Sequence, residues 1–313
     1  MGLALSTREC QAMVERAQDL VKIDVSGLVF RGCLRDTFYA VSLVIKSQLS
    51  SVSKREADIA VESINLGPAI LEKTSAVATL TLDRPNTGNQ IDGEMADALG
   101  EACRLVAEDD QLRLLVLTAN GDSFSIDGGS TNKWEGVPGN PAAHIAALAV
   151  PVLVALNGDA TGPGLELALA GDLRICVPTA QFGFPGLSQG VLPQDGGTQR
   201  LPRLVGPAWA RDMLLTGRIV TAENALSIGL VNRVTEGPGQ LADSVAELVA
   251  QIAGGSPLGA RYAKEAVGKG MDLSLDQGLG LEADLNVILQ STADRAEGIK
   301  SFLENRGSEF KGS

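Results

Sequence analysis

An α/β fold with helical segments at both ends is predicted by three features of the 313-residue chain. Short apolar runs alternate with stretches of helical periodicity between about residues 69 and 205, glycine-rich turns separate them, and beyond about residue 207 helical spacing continues alone. The implied organisation is a helical N-terminal extension over residues 1–66, an α/β core over 67–205 and a C-terminal helical region over 206–313.

The extension opens on Ser6-Thr7-Arg8-Glu9, the pattern of a capping box, and Met13, Ala17, Leu20 and Val21 follow at helical spacing. A second helix is expected over about 34–49. After the connector Ser50-Ser51-Val52-Ser53, a short helix is expected near 54–63. In the core, 69–73 and 77–82 read as strands, the second stopped by Asp83-Arg84-Pro85. Met95, Leu99, Ala102, Leu105 and Val106 form a helical stripe. Residues 114–117 and 152–156 are apolar throughout, as in strands covered on both faces, and 173–177 is a further short strand. Helices are expected over 209–215, 222–228, 241–253, 257–267, 275–289 and 293–305.

Charge restricts the partners. The net charge of −12 arises wholly outside the extension: residues 1–66 carry 8 Lys+Arg and 8 Asp+Glu, the remainder 18 against 30. A nucleic-acid binder shows a basic face, and none is expected here. No apolar run reaches the length of a membrane span. The first residues hold no basic-then-apolar stretch of the secretory type, because Arg8, Glu9 and Glu15 interrupt it. Cys10, Cys33, Cys103 and Cys176 are scattered without metal-like or disulfide spacing, which fits reduced cysteines in a cytoplasmic protein. With a single histidine and no nucleotide fingerprint, no metal or redox cofactor is expected.

Two loop-to-helix junctions concentrate the chemistry. Asp122-Ser123-Phe124-Ser125-Ile126-Asp127-Gly128-Gly129 follows the strand at 114–117, and Asn157-Gly158-Asp159-Ala160-Thr161-Gly162-Pro163-Gly164-Leu165-Glu166 follows the strand at 152–156. Glycine-rich turns feeding helices aim backbone N–H groups at one spot, where a developing oxyanion can be held.

Over about 245 residues the sequence resembles the enoyl-CoA hydratase (crotonase) superfamily. The resemblance runs through Asp83-Arg84-Pro85-Asn86 with Asn89, the two junctions, Phe182-Gly183-Phe184-Pro185 and Gly196-Gly197-Thr198-Gln199-Arg200-Leu201. Thr216-Gly217-Arg218, Ala222-Glu223-Asn224-Ala225, Gly229-Leu230-Val231, Glu297-Gly298-Ile299 and Phe302-Leu303 complete it. It implies a spiral of ββα units, a C-terminal helical region that builds a homotrimer or hexamer, and enolate chemistry on an acyl-CoA or acyl-carrier thioester held between two backbone donors. The thioester is the substrate, and no cofactor is implied.

Carried across residue by residue, the first oxyanion donor is Gly128. The second falls on Pro163, which has no N–H. Either a neighbour, Gly164 or Gly162, donates instead, or one backbone donor remains. Of the two glutamates typical of family hydratases, the first matches Glu166 and the second falls on Gly186, which cannot transfer a proton. Asp195 lies where dienoyl-CoA isomerases of the family carry an aspartate, so Glu166 and Asp195 are candidate acid–base groups. His144, the only histidine, is a further catalytic candidate, because some β-diketone hydrolases of the superfamily recruit one. Asp127 replaces a glycine before the first donor. Asp127, Lys133 and Lys311 are candidate ligand-binding residues, although a turn role suits Asp127 and solvated surface suits the lysines.

Three functions follow from the resemblance. The first is hydration, dehydration or double-bond isomerisation of a thioester. The second is C–C cleavage or decarboxylation of a 1,3-dicarbonyl compound, and the third is a non-catalytic scaffold docked through residues 1–66.

Overall fold

The computed structural model describes residues 61–127 and 140–313. The helices expected before residue 54 lie outside them. The short helix expected near 54–63 is corrected at its end: Val61–Asn65 is a strand, β1, paired antiparallel with β2 (Ala69–Thr74). Irregular exposure along β1, with only Val61 and Ile64, three residues apart, partly covered, explains why it lacked a strand signature.

β2 turns back into β3 (Val77–Leu82), and from there the large sheet is parallel. Its seven strands run in the order β1-β2-β3-β4-β6-β8-β11, with β4 at Leu114–Ala119, β6 at Val152–Leu156, β8 at Leu173–Cys176 and β11 at Arg233–Val234. Every residue of β3, β4 and β6 is buried, as the apolar runs at 114–117 and 152–156 led one to expect for the last two. Helix α1 (Gly93–Ala107) covers the sheet with Met95, Leu99, Ala102 and Val106 at helical spacing. Asp92 caps it by accepting the Met95 N–H, and Arg84 holds Asp92 at 2.6 Å.

A second sheet, β10-β9-β7-β5, is built from short strands: β5 (Ser123–Ser125), β7 (Asp159–Thr161), β9 (Gln181–Gly183) and β10 (Val220–Thr221). β5, β7 and β9 each follow a long strand of the first sheet and precede a helix. Thus β4-β5-α2 (Pro141–Ala147), β6-β7-α3 (Pro163–Leu169) and β8-β9-α4 (Gly197–Thr216) are successive ββα units. This is the expected spiral. The three-residue strands were invisible to periodicity because two or three residues show no period.

The helical C-terminal part begins earlier than Pro207: α4 starts at Gly197 and breaks at Gly206 (φ 79°, ψ 159°), where Pro207 opens its second half. After α5 (Ala222–Ser227), α6 (Leu241–Ala253) buries seven residues and packs on β4 and β8. Helices α7 (Pro257–Gly270), α8 (Leu275–Gln290) and α9 (Ala293–Leu303) close the chain. Lys264 fastens α7 to the core through Asp172 (2.8 Å) and the Val150 carbonyl (3.0 Å). Among the described residues, no helix is long and apolar enough to cross a membrane.

Candidate active site

The site grows from the turn between β7 and α3. Gly162 takes φ 54° and ψ −125°, and Pro163 occupies the first helical position, where a missing N–H costs no intrahelical bond. A Cβ on Gly164 would lie 2.3 Å from the Ser125 carbonyl oxygen, so only glycine lets α3 approach β5 this closely. The Glu166 N–H then bonds the Gly162 carbonyl at 3.1 Å, closing the first turn.

Glu166 is 3% exposed. Its Oε1 accepts the N–H groups of Asp195 (2.7 Å) and Gly197 (2.8 Å), and Oε2 accepts that of Gln194 (3.4 Å). These donors sit in one turn entering α4. Gly197 must be glycine there, since a Cβ would meet Pro193 at 2.7 Å and Phe184 at 3.0 Å. Burial pushes the Glu166 carboxyl above the usual carboxylate range; the three amides oppose this, and the neighbouring Asp195 charge adds to it. The result is a fixed carboxyl that can hold or release a proton nearer neutrality.

Asp195 is also buried, but its Oδ2 receives the Ala142 N–H of α2 at 2.6 Å, while its own N–H serves Glu166. Arg200 Nη1 donates to the Asp195 carbonyl at 2.5 Å. Burial raises the Asp195 carboxyl too, against the Ala142 and Ala143 amides, Arg200 and His144. Asp195 is absent from the cleft wall. The structure gives it a supporting place: it joins α2 to the turn that holds Glu166.

Glu166 opens on a cleft. Asp127, Gly162, Pro163, Gly186 and Gln194 line it beside Glu166, and Phe184, Val191, Leu192, Pro193 and Leu214 give it apolar walls. Gly186 faces the cleft without a side chain, as its alignment with the second glutamate implied.

The other expected residues divide. Gly128 and Lys133 lie outside the described residues. Pro163 is in the cleft wall. Of the two neighbours considered as substitute donors, Gly162 gives its N–H to the Gly183 carbonyl at 3.0 Å, within the sheet. Gly164 is buried and does not line the cleft. His144 is exposed on α2, near Gly100 of α1, and is not in the cleft wall. Lys311 is exposed in the C-terminal tail, its N–H on Asp294 at 2.9 Å, also away from the cleft wall. Asp127, for which a turn role was expected, lines the cleft while its N–H bonds Thr161 Oγ1 at 2.9 Å. The apolar walls and the amide clamp escaped sequence reasoning; the signal for the clamp was Gly196-Gly197, the first needed for its φ of 101° and the second for its packing against Pro193 and Phe184.

Residues 72–313 match the enoyl-CoA hydratase/isomerase family. The chain belongs to this family. Among its relatives, a crotonyl-CoA hydratase of Syntrophomonas wolfei is 34% identical over 252 residues, covering 77% of this chain and 96% of the relative. An (E)-benzylidenesuccinyl-CoA hydratase of Thauera aromatica is 37% identical, covering 79% of this chain and 100% of the relative. In three dimensions the chain is similar to an enoyl-CoA hydratase of Bacillus anthracis, with 29% identity, a TM-score of 0.72 and coverage of 81% and 99%. The β7–α3 turn lies within the matched residues.

Proposed function

We propose that the protein adds water to, or removes it from, the acyl chain of a CoA thioester, with Glu166 moving the proton at the β-oxygen. The observation that carries this reading is the Glu166 carboxyl itself. It is buried, clamped by three amides and raised in pKa by burial, yet it forms part of an apolar cleft wall. A carboxyl so placed accepts a proton from water attacking an enoyl chain, or returns one to a departing hydroxide. The hydratases among its relatives support the same reaction class, as does a carnitinyl-CoA dehydratase of Salmonella arizonae at 37% identity.

Gly186 favours a second reading, double-bond isomerisation, in which one carboxyl carries a proton from the α- to the γ-carbon. Incubation of the purified protein with enoyl- and 3-hydroxyacyl-CoA esters of graded chain length separates the two by mass. Gain or loss of one water supports the first reading. A change of double-bond position at constant mass supports the second, and no change in any ester defeats both.

A further inference from the structure

The cleft holds a second carboxylate that no family position predicts. Asp127 and Glu166 line the same cleft, with Gly162 and Pro163 between them in its wall. A Cβ on Gly162 would lie 2.9 Å from Asp127 Oδ2 and 3.0 Å from Asp127 Cβ, so the Asp127 carboxylate rests against the residue that caps α3. Glu166 stands four residues on, one helical turn away on the same face, and helical side chains lean back toward the N-terminus. The two carboxyls therefore border one cleft, where a bound acyl chain can meet both. With the thioester oxygen taken to lie at Pro163, where the resemblance puts it, Asp127 against Gly162 is assigned the α-carbon and Glu166 the β-carbon.

We propose that Asp127 is the second catalytic carboxylate of this cleft, the base that takes the α-proton while Glu166 serves the β-oxygen. This rests on the hydration–dehydration reading above. In the dehydration direction, Asp127 accepts the α-proton of a 3-hydroxyacyl thioester, and the C–H electron pair moves into the thioester as an enolate. That pair then forms the Cα–Cβ double bond as the Cβ–O bond breaks. Glu166, which burial favours in its protonated form, gives its proton to the departing oxygen, and one water leaves. Asp127 ends protonated and Glu166 ionised; exchange with solvent restores both.

The same step addresses Pro163. A charged aspartate beside an enolate would repel it, but Asp127 becomes neutral as the enolate charge develops. The new carboxyl O–H can then donate to the thioester oxygen, where Pro163 offers no N–H and Gly162 is committed to Gly183. One residue thus stands in for both departures, the glycine at 186 and the proline at 163.

Hydrogen exchange isolates the α-proton step. Butyryl-CoA, which has no hydroxyl to lose, is incubated in deuterium oxide with the full-length protein, and label at the α-carbon is followed. In parallel, dehydration of 3-hydroxybutyryl-CoA is measured. Asp127→Asn is expected to lower both rates by about 10²–10⁴-fold with KM little changed. Asp127→Glu, which keeps the carboxylate, restores part of each rate. Glu166→Gln is expected to lose dehydration while label still enters. Asp127→Asn with wild-type dehydration, alongside an inactive Glu166→Gln, overturns the Asp127 assignment and leaves the reaction class standing. A wild-type protein that acts on neither ester in either assay overturns both.

Discussion

Proline at position 163 removes an N–H at the point where the resemblance places an oxyanion donor, and neither neighbouring glycine supplies a backbone N–H in its place. Gly162 spends its N–H on Gly183, and Gly164 is packed against Ser125 behind the wall. Pro163→Gly is expected to strengthen binding of acetoacetyl-CoA, whose enolate forms readily, by about 1–3 kcal/mol, the worth of a hydrogen bond to a charged group. Calorimetry on both proteins checks this, and equal or weaker binding by an intact variant contradicts it. The buried carboxyls of Glu166 and Asp195 set a pH trend in stability. Both have folded-state pKa values raised by burial, so the folded chain binds more protons than the unfolded one between the ordinary and the raised values. Their contribution is fully present below the ordinary carboxylate pKa and is lost as pH rises through the raised one. Thermal unfolding should show Tm falling across that interval, with a flatter profile in Glu166→Gln; a Tm that rises there in both proteins contradicts the assignment.

Two elements position Glu166, and each depends on a particular residue. α3 lies against β5 because position 164 has no side chain. Gly164→Ala is expected to destabilise the fold by about 1–3 kcal/mol through overpacking, as read from the denaturation midpoint. α2 is tied to the Glu166 turn by Asp195, and Asp195→Ala leaves the Ala142 N–H buried without its acceptor, a loss of about 1–3 kcal/mol. Asp195→Asn, which keeps an acceptor, should lose less; equal losses would mean that the charge rather than the hydrogen bond matters. At this scale the long strands and helices were legible in the sequence, because β4 and β6 are unbroken apolar runs and α1 and α6 repeat at helical spacing. β1 was misread since one partly exposed edge strand shows no clean alternation, and β5, β7 and β9 were too short to show a period. Of the site, Glu166 and the glycine turns were legible from their motifs. The inward placement of Asp127 and the supporting place of Asp195 were not, for both depend on contacts between segments far apart in the chain.

The whole molecule leaves an apolar surface on its C-terminal helices. In α8 only Leu285 is buried, while Leu275 is 78% exposed and Leu279, Val287 and Ile288 are open; Val267 of α7 and Phe302 of α9 (83% exposed) extend the surface. Large apolar side chains exposed on these three helices are of the kind that a second chain covers, and the resemblance leads us to expect self-association. Self-association into a trimer or hexamer should appear in sedimentation as a mass of three or six times 32.5 kDa. Leu279→Asp with Val287→Asp should lower that mass; a monomeric wild type contradicts the expectation.

The central claim is that Glu166, on its amide clamp, transfers a proton to the acyl chain in the cleft. The most direct measurement is kcat for dehydration of 3-hydroxybutyryl-CoA by the wild type and by Glu166→Gln, with the fold of each verified by thermal unfolding. Glutamine keeps the shape and one acceptor oxygen for the Asp195 and Gly197 amides but cannot carry the proton. A fall of about 10²–10⁴-fold in kcat at nearly unchanged Tm is expected. A folded Glu166→Gln protein that dehydrates the ester at the wild-type rate would contradict it.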